Sequence, residues 1–161
     1  MIKDLIALDD NSRVWIYQAS DEFSYDELDQ ARPLIYDFID RWTSHNQSLI
    51  TYGNIFHRRF LALFVDESHS MASGCSIDSS VRFVTAIGEK FGKKMFDRQT
   101  VYLMDSNEYI KGFHLPLLKE LYKEGVIDNS TLYFDNLVSS KRAFLKEWIK
   151  PIDQGWLKRF I

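Results

Sequence analysis

The chain of 161 residues holds a single cysteine, Cys75, which excludes an internal disulfide and points to a reducing compartment. No apolar run approaches the ~20 residues that span a bilayer. The opening segment MIKDLIALDD is too short and too acidic for a secretory signal. A cytoplasmic protein with no membrane association is therefore expected. Positive charge is also scarce. The 20 Lys and Arg stand against 23 Asp and Glu, net −3, so no overall field draws the chain to nucleic acid. Arg58-Arg59 lacks the basic company that a nucleic-acid contact needs, and reads as a hairpin turn.

Metal and nucleotide signatures are missing too. The four histidines and one cysteine never adopt His-x3-His, Cys-x2-Cys or His-Glu-x2-His spacing, so no metal centre is expected. The nearest approach to a phosphate-binding P-loop is Gly88-Glu89-Lys90-Phe91-Gly92-Lys93-Lys94. It has three residues between its glycines where four are needed, and Lys94 where the magnesium-binding hydroxyl belongs. No cofactor is indicated.

What the chain does have is apolar and aromatic. At 45% hydrophobic and 15% aromatic, it can bury one substantial core. With three prolines, seven glycines and no linker or repeat, it reads as one domain with a core at about 11–106 and an α/β appendage at about 107–161. RVWIYQA (13–19) has strand composition. Ser24-Tyr25-Asp26-Glu27 fits a capping box ahead of a helical stripe of Leu28, Ala31, Leu34, Ile35, Phe38, Ile39 and Trp42, which Pro33 should kink or restart. Two strands follow at 49–57 and 59–66, the second apolar from Phe60 to Val65. A second helix carries Ile77, Val81, Val84, Ile87 and Phe91 to a stop at Gly92, and TVYLMD (100–105) is a further strand. Strand, helix, strand, strand, helix, strand is the ferredoxin-like βαββαβ order, so an α+β fold with one antiparallel sheet is expected.

The densest chemistry lies in Asp66 to Ser80, between the apolar strand and the second helix. It contains Cys75, six serines and three carboxylates. Ser76 as N-cap, with Asp78 in the first turn paired to Arg82, is ordinary helix stabilisation. The same geometry makes an anion site. Gly74 admits close approach to the backbone, helix-start N–H groups point outward, and Ser73, Ser76, Ser79 and Arg82 supply further donors. Asp66 and Glu67 would border it as a base or as ligands to magnesium. A thiol at a helix start is favoured as thiolate, which makes Cys75 a candidate nucleophile or redox centre with His57 or His69 as partner. A small buried cysteine under the loop is the alternative. The phosphatase spacing Cys-x5-Arg is missed by one residue at Cys75 and Arg82.

VDESHSMASGCSIDSSVRF (65–83), LYFDNLVSSK (132–141) and WLKRFI (156–161) resemble a small bacterial family whose members are sometimes labelled ABC-transporter ATPases. The resemblance brings no established activity, cofactor or catalytic residue. The absent Walker A sequence argues against that label here. The expected function is binding of a small anionic or phosphorylated ligand at 66–80. A Cys75-dependent thiol enzyme or redox sensor is one alternative. The other is a non-catalytic module whose aromatic C-terminal region, Trp148, Trp156 and Phe160, docks a partner or a second copy as a homo-oligomer.

Overall fold

In the computed structural model, which describes residues 1–161, the chain divides into two units. One comprises residues 1–97 with 139–142, the other residues 98–138 with 143–161. Both are built from antiparallel sheet and helix, which is the α+β class.

The first unit runs β1 (Arg13–Gln18), α1 (Tyr25–Arg41), a short hairpin of β2 (Thr43–Ser44) and β3 (Gln47–Ser48), β4 (Ile50–Phe56), β5 (Phe60–Asp66) and α2 (Gly74–Phe91). Its sheet has the order β1-β5-β4, with Leu63 opposite Trp15 on one side and Gly53 on the other. Strand alternation sends Leu61, Leu63 and Val65 to one face. There they share a core with Leu28, Ile35 and Ile39 of α1 and Val84 and Ile87 of α2. Ser24 and Glu27 form the expected capping box. α1 runs unbroken through Pro33, so of the kink or restart expected there the restart does not occur. Pro33 lies on the exposed side, where water can take the carbonyl that lost its N–H partner.

His57, Arg58 and Arg59 form the tight β4–β5 turn, in which His57 and Arg58 take left-handed φ of 50° and 57° and the Arg59 N–H donates to the Phe56 carbonyl (3.0 Å). The turn is tied to the segment before α1. Arg58 Nε donates to the Phe23 carbonyl (2.9 Å) and its guanidinium covers the Tyr25 ring, while Arg59 pairs with Glu22 (3.0 Å). Two buried lysines make similar ties. Lys93 Nζ lies between Asp21 (3.3 Å) and Glu27 (3.4 Å), and Lys141 Nζ donates to the carbonyls of Leu8 (2.7 Å) and Ile6 (3.2 Å).

The second unit contains β6 (Thr100–Met104), β7 (Ile110–His114), α3 (Leu118–Lys123), β8 (Leu132–Phe134), α4 (Lys141–Glu147), whose first residues belong with the first unit, and β9 (Ile149–Pro151). Its sheet is ordered β7-β6-β8-β9. Val101, Leu103, Leu118, Tyr133, Ile152 and Leu157 form its core. Asp135 fixes the C-terminal stretch, accepting from Lys150 Nζ (2.7 Å) and Trp156 Nε1 (3.0 Å).

The ferredoxin-like order is therefore corrected. Its first three strands do lie in the sequence first-third-second. The expected fourth strand, β6, joins the other sheet, where β7 and β8 fill both its edges. The free edge of β1 instead receives the segment before α4. Arg13 bridges Ser140, and the Val14 N–H donates to the Ser139 carbonyl (3.1 Å). No helix is long and apolar enough to cross a membrane.

Gly53 of β4 lies against Ile35 and Ile39 of α1. A Cβ there would stand 3.0 Å from Leu63 Cδ2, 3.2 Å from Ile35 Cγ2 and 3.3 Å from Ile39 Cγ2, all on fully buried side chains. Gly53→Val is expected to lower stability by about 1–3 kcal/mol through overpacking. Urea denaturation followed by tryptophan fluorescence measures this, and an unchanged midpoint would show that α1 can shift to make room.

Candidate functional site

The loop after β5 is held by its own side chains. Asp66 is buried at the strand end, and its carboxylate accepts from the Ser68 hydroxyl (2.6 Å), the Ser68 N–H (3.0 Å) and the Asp9 N–H (3.2 Å). Burial pushes this carboxyl up, but the three donors and the charge of Lys3 outweigh burial and leave it below its ordinary value. Glu67 Oε2 accepts from the Ala72 N–H (2.9 Å), and Oε1 lies 3.8 Å from Arg13 Nε, whose guanidinium covers the Trp15 ring. Ser70 donates to Gln47 Oε1 (2.9 Å). The two carboxylates expected to border a ligand are thus engaged in shaping the loop.

α2 starts earlier than the apolar pattern implies. Ser73, not Ser76, is the N-cap, and Gly74 is the first helical residue. Reciprocity decides this. Ser73 Oγ accepts from the Ser76 N–H (3.2 Å) while Ser76 Oγ accepts from the Ser73 N–H, a capping box with serine in the place usual for Glu. The Ile77 N–H closes on the Ser73 carbonyl (2.9 Å), and Trp42 Nε1 donates to the Ser76 carbonyl (2.8 Å). Ser76 is consequently buried. The donors left in the first turn are the N–H groups of Gly74 and Cys75, both exposed residues. A Cβ on Gly74 would meet nothing within 4 Å, so the side-chain position of this residue is open.

Cys75 is a free, exposed thiol, which overturns the buried alternative. Ser79 Oγ donates to the Cys75 carbonyl (3.0 Å), and Arg82 Nη2 donates to Ser79 Oγ (3.3 Å). Spaced four and three apart, Cys75, Ser79 and Arg82 share one outer face of α2. Arg82 reaches back along that face to Ser79, in place of the expected pairing with Asp78. His57 lies in the turn at the other end of β5, about 20 Å along the strand from Asp66, so it does not serve Cys75. His69 is exposed on the loop. No group of three His, Cys, Asp or Glu side chains is placed to hold a metal ion.

Compared with family models, curated proteins and solved structures, the chain finds no significant match.

The surroundings of the loop include residues that local pattern reading passes over. Arg13, Trp42 and Gln47 come from other elements and bind it through contacts far apart in sequence, so no spacing signals them. The C-terminal aromatics are largely occupied. Trp148 is buried against Phe134 and Phe144, and Trp156 packs edge-on to Tyr133 while bonded to Asp135, leaving Phe160 as the more exposed ring.

Because the Asp66 carboxyl is lowered on folding, its charge stabilises the fold above the unfolded value of about 3.9. That contribution is lost as pH falls through the lower folded value. The stability difference between wild type and Asp66→Asn is expected to be full near neutrality and to shrink below about pH 4. Urea melts across this range measure it, and a pH-independent difference would rule out a role for the charge.

Proposed function

We propose that the protein binds a small anion at the first turn of α2. Anion oxygens would accept from the N–H groups of Gly74 and Cys75, and Arg82 would add its charge along the Cys75–Ser79–Arg82 face. The observation that carries this reading is the pair of first-turn N–H groups, on the exposed residues Gly74 and Cys75, that the serine cap leaves over at the positive end of an 18-residue helix. Ser73 and Ser76 act here as the cap that holds the turn in shape, and Asp66 and Glu67 as the staples of the loop behind it. Ser79 positions Arg82.

Amide NMR of the uniformly labelled chain titrated with inorganic phosphate tests the reading. Saturable shifts of the Gly74 and Cys75 amides are expected, with weaker binding in Arg82→Ala and no change in the rest of the spectrum. Shifts reproduced by chloride at equal ionic strength, or none at millimolar phosphate, would overturn it.

A second reading, thiol chemistry at Cys75, is favoured by the exposure of that thiol on the same face as Arg82. It predicts that iodoacetamide labels Cys75 faster in the folded chain than in urea, below neutral pH, and that Arg82→Ala slows the folded rate. Equal rates in both states would remove the thiol from consideration.

A further inference from the structure

We draw no further inference here: the strongest candidate, the open outer edge of the strand Ile110–His114 in the second unit's sheet, offers backbone groups for an added strand, but nothing in the structure shows what covers it.

Discussion

The first unit depends on one strand that has no wet side. Every residue of β5 from Phe60 to Asp66 is buried, so this strand must lie between two others. β1 and β4 supply its two ladders, and α1 and α2 supply apolar cover for Leu61, Leu63 and Val65. Other features follow from that position. Gly53 is small because α1 closes on the sheet beside Leu63. The β4–β5 turn takes left-handed values at His57 and Arg58 because a connection of only three residues must reverse the chain into the central position.

A buried strand that ends on a carboxylate creates a local problem at Asp66. A buried charge without partners is costly, and the chain answers with three donors within hydrogen-bond distance. Those bonds bend the loop back on itself, and Glu67 then fastens its far side through the Ala72 N–H. The polar residues between strand and helix are therefore mostly a device for leaving the core. What they leave over is narrow: two amide donors in the first turn of α2, and a thiol and a guanidinium along its outer face. Of the acidic groups nearby, Asp66 accepts from Ser68 and the Asp9 N–H, Glu67 accepts from the Ala72 N–H and lies 3.8 Å from Arg13, and Asp78 is exposed in the first turn of α2.

The buried cations follow the same logic. Lys93 and Lys141 lie under cover with oxygen partners, and each joins segments that no strand pairing connects. Removing one partner would leave a charge stranded in the interior, so such ties hold loops in one arrangement. Asp135 does this for the second unit, gathering Lys150 and Trp156 around the end of β8.

Read alone, the residues of this chain determine its two long helices and the strands β1, β4, β5 and β6. The capping box at Ser24, the stripes of both long helices, the all-apolar strand and the stop at Gly92 are encoded within a few positions, where backbone propensity and side-chain period act. The strands Ile110–His114 and Ile149–Pro151 escape that reading, since one is a glycine-containing edge and the other is three residues long. The position of the polar loop was legible because it interrupts two strong periodic patterns. Its internal state was not. Whether Ser73 or Ser76 caps the helix and whether Arg82 meets Asp78 or Ser79 turn on competing local hydrogen bonds, and the structure shows which of them form. The contacts of Trp42 with Ser76, Arg13 with Glu67 and Asp9 with Asp66 come from elsewhere in the chain, and only the tertiary structure supplies them. The fate of Thr100–Met104 is likewise a choice of partner: strand propensity is local, but the sheet a strand joins depends on which neighbours pair with it, here β7 and β8.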